Sequence, residues 1–252
     1  MSNANTDGPP PTAAEIARSA RAEARFGAAF LRLHGRRLLL VFAGLLLPLW
    51  GFGALVEELH EGEPFFFDAP LLWLARDLAG AGWDRAFVAL SALGYGYGVI
   101  PVDVLLILGL AWRRWLREGL FAGIAIVGSA LLNVLAKHAF ARARPALWPA
   151  LWPETSYSFP SGHAMGSMTL ALVVVLLCWY RRTPGGRPLR WPVTISAAAF
   201  VLAVGLSRVY LGVHYPSDIL AGWAAASVWT VGAYGLVFSG RQRPWQLRLP
   251  RS

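Results

Sequence analysis

The sequence predicts an all-α, polytopic membrane protein with six transmembrane helices, and three observations carry that expectation. Hydrophobic residues make up 56% of the 252, tryptophan alone occurs 12 times, and mean hydropathy is +0.47, well outside the range of soluble domains. The apolar residues come in long runs instead of short alternating segments, which selects helices over a strand barrel because hydrocarbon offers backbone groups no hydrogen-bond partner. Arginines punctuate these runs, so the net charge of +9 reads as a topology signal. A nucleic-acid footprint would need a basic face on a folded soluble unit.

Residues 1–37 are expected to form a cytoplasmic tail. Its first 11 residues are polar and proline-rich, a composition of disordered segments. Thereafter Arg18, Arg21, Arg25, Arg32, Arg36 and Arg37 recur among alanines at roughly helical spacing, giving either a basic amphipathic helix at the membrane surface or a solvated one. Span one is placed at 38–56, close to the roughly 20 residues that cross a hydrocarbon core of about 30 Å. That run is too long for a signal-peptide core and lacks a convincing cleavage site, so it is expected to stay attached. Residues 57–85 change character. Glu57, Glu58, Glu61, Glu63 and Asp68 surround Phe65, Phe66 and Phe67, and an amphipathic stretch follows. This segment is predicted to be a short helix lying flat at the outer interface, with Trp73 and Trp83 in an aromatic belt.

Span two is placed at 97–112, with an extension from near Asp84 as an option, span three at 119–138 and span four at 162–180. Spans five and six follow at 192–206 and 218–238. The six-span domain thus occupies 38–239, and 240–252 forms a second cytoplasmic tail. Gly123, Gly128, Ser129 and Ala130 in span three, with Gly166, Ser167 and Ala171 in span four, permit close helix approach. Asp103 is the one carboxylate well inside a span, a functional suspect by position, with solvation near the outer surface as the plain alternative. Cys178 is the sole cysteine, so no intrachain disulfide or thiolate metal site can form.

Of the 23 basic residues, all but Arg76, Arg85, Lys137, Arg142, Arg144 and Arg208 fall in the N-terminal segment, two inter-span links and the C-terminal tail. Basic residues are retained in the cytoplasm, so those four segments are assigned there. The assignment places the end of span three, the start of span four, the end of span five and the start of span six at the outer face. At those ends lie the side chains that can do chemistry: Lys137, Arg144, the Ser161-Gly162-His163 run, Arg208, His214 and Asp218.

This inventory suits a phosphate ester. Phosphoryl transfer spreads negative charge over the equatorial oxygens, which calls for preorganised cations and N–H donors. Arg144 and Arg208 can grip oxygens bidentately, Lys137 supplies a point charge, and Ser161, Gly162 and His163 open a helix whose free N–H groups and dipole face an anion. Two histidines at one face suggest a nucleophile and an acid. Asp218, four residues after His214, can fix that ring's tautomer, which favours His214 as nucleophile and His163 as acid. No carboxylate or cysteine cluster with catalytic-metal spacing occurs, so metal-independent chemistry without a cofactor is expected.

The spacing is specific. Lys137 followed after six residues by Arg144-Pro145, then Pro160-Ser161-Gly162-His163, then Ser207-Arg208 with His214 and Asp218 downstream, resembles the three-part signature of the type 2 phosphatidic acid phosphatase family. The resemblance covers about residues 119–238. It implies dephosphorylation of a membrane lipid phosphate or pyrophosphate through a phosphohistidine on His214, with His163 as acid and Asp218 orienting His214. It also implies phosphate binding by Lys137, Arg144, Ser161, Gly162, His163 and Arg208. The same signature occurs in vanadium-dependent haloperoxidases, but those are soluble. A lipid phosphotransferase using this site is an alternative, and a non-catalytic lipid-phosphate transporter a weaker one. Phosphatidate, phosphatidylglycerophosphate, diacylglycerol pyrophosphate and undecaprenyl pyrophosphate all remain open as substrates. Trp148, Trp152, Tyr157 and Phe159 are expected either to line an access route for the lipid chain or to anchor the interface. A bacterial cytoplasmic membrane is the expected location, with the site facing outward.

Overall fold

The computed structural model describes residues 12–148, 154–238 and 244–245. The predicted tail at 1–11, Trp152 and the arginines at 241, 243, 248 and 251 lie outside the described residues. Among the described residues there are nine α-helices: α1 Ala13–Val41, α2 Leu47–Glu61, α3 Asp68–Asp77, α4 Ala81–Leu93, α5 Val99–Trp112, α6 Leu116–Phe140, α7 Gly162–Cys178, α8 Arg190–Tyr210 and α9 Pro216–Val237. A π-helical turn, Phe42–Leu46, precedes α2, and an isolated bridge between Arg182 and Pro188 is the only β-type pairing described. The described residues fall into two compact units, divided between Phe42 and Ala43. The first consists of the arginine-rich helix α1, in keeping with the helical spacing of its basic residues.

In the second unit α7 is the central element, packed against α5, α6, α8 and α9. Its sequence is apolar or small all round, as an enclosed helix requires, and Ala164, Met165, Val173 and Leu177 are buried on different faces. Around it, α9 also receives α2 and α6, while α8 receives α3 and α4. The outward sides of α5, α6 and α8 expose Leu105, Trp112, Leu131, Val134, Ile195 and Leu202. Such an apolar exterior fits hydrocarbon and would be a liability in water. Among the described residues, four stretches are long and apolar enough to cross a membrane: Leu38–Glu61, Leu116–Phe140, Arg190–Tyr210 and Pro216–Val237. Helices α5 and α7 are apolar but shorter, at 14 and 17 residues.

Three expectations change. The segment after span one is not a single flat helix: α2 continues to Glu61, Gly62 turns the chain at φ 75°, and α3 and α4 follow as separate elements. Asp68, expected among surface acids, is buried at the start of α3. Span five does not end before Ser207-Arg208. Helix α8 runs through both, because Ser207 returns its hydroxyl to Val204 O at 2.6 Å and Arg208 finds side-chain partners inside the bundle. Asp103 is buried on α5, and its Oδ1 has no hydrogen-bond partner among the described residues.

Small residues set the interhelix distances, as anticipated for α6 and α7. Ser129 and Thr169 hydrogen-bond at 2.8 Å between them, and the Trp229 ring of α9 lies over Gly128 with its Nε1 donating to Ile124 O at 2.9 Å. The approach that matters most for the site is at Gly222 of α9. A Cβ there would stand 2.9 Å from Ser161 O and 3.0 Å from the Ala164 Cβ, so the absent side chain is what lets α9 touch the first turn of α7. Gly222→Ala is therefore expected to destabilise the fold by about 1–3 kcal/mol, as overpacking does, with a matching fall in thermal midpoint in detergent. An unchanged midpoint would mean that the α7–α9 contact is not tight.

Candidate active site

The ends of α6, α8 and the starts of α7 and α9 meet, and local sequence explains how each is fixed. Helix α6 stops at Ala141, which takes a left-handed conformation (φ 44°) and returns its N–H to Lys137 O at 2.9 Å. Helix α7 starts at Ser161, whose hydroxyl caps Ala164 N at 3.4 Å. Helix α9 starts at Pro216, suited to the first turn because it has no N–H to orphan. Its third residue, Asp218, accepts from Tyr215 N at 2.9 Å in a capping box. The two starts are tied directly, since Ser161 N donates to Asp218 O at 3.0 Å. That bond corrects one expectation: the Ser161 amide is already committed, so only the Gly162 and His163 amides of that run are left to an incoming anion.

Four predicted residues surround one carboxylate, that of Glu154. Arg144 Nη2 donates to Glu154 Oε2 at 2.6 Å, and Arg208 Nη2 bonds Glu154 Oε1. His163 Nδ1 lies 4.0 Å from Oε1 and His214 Nε2 4.0 Å from Oε2. Arg208 is 1% exposed and also donates to Ser91 of α4. Arg144 spans two loops, donating to Ser156 O at 2.7 Å and Val213 O at 2.7 Å. Burial would raise the Glu154 carboxyl, but the cationic Arg208 and Arg144 beside it hold it below its ordinary 4.5. Lys137 stands at the rim, bonded to Ser156 Oγ at 3.1 Å and to Tyr157 O. A cavity of about 360 Å³ opens here, with Lys137, Glu154, Gly162, His163 and Arg208 in its wall.

His214 is buried instead of sitting at a wet interface, and its neighbours fix its proton. Arg144 Nη1 lies 3.1 Å from Nε2, and because a guanidinium can only donate, Nε2 must accept. The ring hydrogen is then on Nδ1, 3.3 Å from Asp218 Oδ2. Burial, with Arg144 and Arg208 adding to it, pushes His214 well below the usual 6.5, so the ring is neutral at ordinary pH with a bare Nε2 facing Glu154. His163 stacks on Tyr95 of the α4–α5 turn, centroids 4.9 Å apart.

Sequence reasoning missed four residues. Glu154 is the single acid between α6 and α7, which could have marked it. Arg142 donates to Asp218 Oδ1 at 2.6 Å and to Asp68 Oδ2 at 2.9 Å, and Ser91 holds Arg208. The anticipated aromatic lining is also different. Phe159 packs inside against Phe52 and Phe140, and Trp148 packs on Trp73 and over Gly212, whereas Tyr95 and Tyr97 reach the cavity. Among the described residues no group of three or more His, Cys, Asp or Glu could hold a metal ion.

The PAP2 superfamily profile matches residues 118–245, the stretch that carries all of these groups except α3, Ser91 and the Tyr95 turn. The chain belongs to the PAP2 superfamily. It is 32% identical over 143 residues to phosphatidylglycerophosphatase B of Bacillus subtilis, covering 56% of this chain and 68% of that one. It is 35% identical over 145 residues to an undecaprenyl-diphosphatase of Sulfolobus acidocaldarius, covering 56% and 64%. A crystal structure of a transmembrane PAP2-type phosphatidylglycerolphosphate phosphatase from Bacillus subtilis superposes with a TM-score of 0.63 at 25% identity, over 75% of this chain and 94% of that one. The apolar helices and this kinship make the protein a membrane protein of the PAP2 class.

The Glu154 contacts give a first test of the site. Glu154→Gln removes the internal anion, so orthovanadate is expected to bind about tenfold more tightly by titration calorimetry, the scale of one partly buried charge interaction. The wild type's ion pairs stabilise it above the ordinary carboxyl value of 4.5, and that stability is lost as pH falls through the depressed folded value. The variant should lack this acid-dependent loss in thermal midpoint. Unchanged vanadate affinity would show that Glu154 does not occupy the anion position.

Proposed function

We propose that the protein hydrolyses the terminal phosphate of a membrane lipid phosphate or pyrophosphate, through a phosphohistidine on His214 and without a metal. One observation carries the reading: two guanidinium groups and two imidazoles converge on a single carboxylate. A carboxylate is the nearest thing to phosphate that a polypeptide supplies, and Glu154 stands in for phosphate oxygens. A substrate phosphate displaces it into the cradle of Arg144, Arg208, Lys137 and the α7 N-terminus, where Gly162 carries no side chain to obstruct it.

His214 Nε2 then attacks phosphorus in line while the bond to the lipid oxygen breaks, and His163 donates a proton to that oxygen. The Nδ1 proton stays on the imidazolium, where Asp218 stabilises the new charge. Water, deprotonated by His163, attacks the phosphohistidine and releases phosphate; His214 returns to a neutral imidazole and His163 to the protonated form that serves as acid in the next turnover. Arginines and a helix end neutralise the equatorial oxygens in this scheme, which is why no metal is invoked. A lipid acceptor in place of water would make the same site a phosphotransferase.

The relatives act on a glycerophospholipid phosphate in one case and a polyprenyl diphosphate in another, so both classes stand as substrates here. Six spans are proposed, with α5 and α7 as the two short ones, both termini cytoplasmic and the site outward in a bacterial cytoplasmic membrane. The arginine distribution and the gathering of the site at one end of the second unit support this.

Phosphate release from phosphatidate, phosphatidylglycerophosphate, diacylglycerol pyrophosphate and undecaprenyl pyrophosphate, by detergent-solubilised protein in chelator, checks the proposal. His214→Ala should cost more than about 1000-fold in kcat, as loss of a covalent nucleophile does. The acid limb of kcat/KM due to His214 should lie below the usual histidine range, because its folded pKa is depressed. A folded His214→Ala protein with normal turnover would remove the mechanism.

A further inference from the structure

The buried acid that orients His214 is itself held by a charged assembly reaching from α3. Asp218 is fully buried, and its Oδ1 receives Arg142 Nη1 at 2.6 Å. The other guanidinium nitrogen, Nη2, reaches Asp68 Oδ2 at 2.9 Å. Asp68 also accepts from Ser217 N at 2.9 Å and from Ser217 Oγ at 2.5 Å, and Ser217 Oγ accepts from Arg142 Nη1 at 2.8 Å. The Arg142 guanidinium lies 4.2 Å from the Tyr215 ring centroid and 5.2 Å from that of Phe65. Side-chain exposure is 13% for Arg142, 4% for Asp68 and zero for Asp218.

Charge bookkeeping gives this arrangement a purpose. Arg142 alone against Asp218 would make a neutral pair, and a neutralised carboxylate does little for an imidazolium. The second carboxylate draws on the same guanidinium, so the set of Asp68, Arg142 and Asp218 keeps one net negative charge facing His214. Only a planar fork can meet two carboxylates on separate nitrogens while its faces meet aromatic rings.

We propose that Asp68 and Arg142 are positioning residues for the phosphoryl-transfer reaction: Arg142 fixes Asp218 in contact with His214, and Asp68 takes up guanidinium charge so that Asp218 stays anionic toward the imidazole. The proposal rests on the histidine mechanism given above, and its test includes a readout that needs no substrate. In the full chain labelled with 15N-histidine, in detergent, His214 is assigned among the five histidines by its loss in His214→Gln. The wild type should show His214 as a single Nδ1–H tautomer. Asp68→Asn, which keeps shape, and Arg142→Ala should each give mixed tautomers at His214. Arg142→Lys serves in place of Arg142→Ala if that variant does not fold. Asp68→Asn should also lower kcat about a hundredfold with KM and vanadate affinity unchanged, the scale of a small misplacement of a reacting group.

A wild-type His214 spectrum in both variants would overturn the proposal, as would a lowered thermal midpoint with unchanged kcat, the signature of a tether between α3 and α9. Absence of lipid turnover in the wild type would instead contradict the proposed function, and the tautomer measurement would still decide the positioning role.

Discussion

A guanidinium inside an apolar helix bundle is tolerable only if an anion meets it, because an unpaired buried charge costs far more than packing returns. Arg208 imposes that condition. It lies in the last turn of α8, 1% exposed, and its two partners come from distant parts of the chain, Ser91 on α4 and Glu154 on the loop between α6 and α7. Arg144 shares the same carboxylate and adds the 213–214 turn. Removing the anion would leave two cations and two imidazoles facing one another. The cluster therefore requires an anion, which the Glu154 carboxylate supplies.

The same constraint explains the layering around His214. A neutral imidazole with a bare Nε2 is unusual beside a guanidinium, and it persists because burial and Arg144 disfavour the charged form while Asp218 holds the Nδ1 proton. Asp218 in turn is buried and needs Arg142, and Arg142 needs Asp68. Each charge is satisfied by the next, from the anion position to the N-terminus of α3. Backbone contacts give this chain its rigidity: Ser161 N to Asp218 O joins the starts of α7 and α9, and Gly222 lets the helices come close enough for that bond.

Much of this was legible in the sequence. Apolar run length located α5, α6, α7 and α9 to within a few residues, and the spacing of Lys137, Arg144, Ser161, His163, Arg208, His214 and Asp218 picked out groups that the fold brings to one place. Where the reading failed, a local pattern stood in for a tertiary one. Ser207-Arg208 looked like the end of a span because the side chains are polar, yet partners inside the bundle let the helix continue. Asp68 looked like one more acid in an acidic interfacial segment, and only its contact with Ser217, 149 positions away, shows otherwise. Glu154 carried a signal, as the lone acid in its loop, but its two arginine partners are arranged by the fold. Phe159 and Trp148 were expected to line a lipid route or to anchor the interface, and the bundle buries one and stacks the other.

The central claim is that His214 Nε2 becomes bonded to phosphorus. Its most direct test is rapid quench of the purified protein with a radiolabelled lipid phosphate, followed by isolation of the labelled peptide. An acid-labile, base-stable label on the peptide containing His214, absent in His214→Ala and present in the wild type, is the predicted result. Turnover of the lipid with no trapped label, or with a label carried on another residue, would contradict the account.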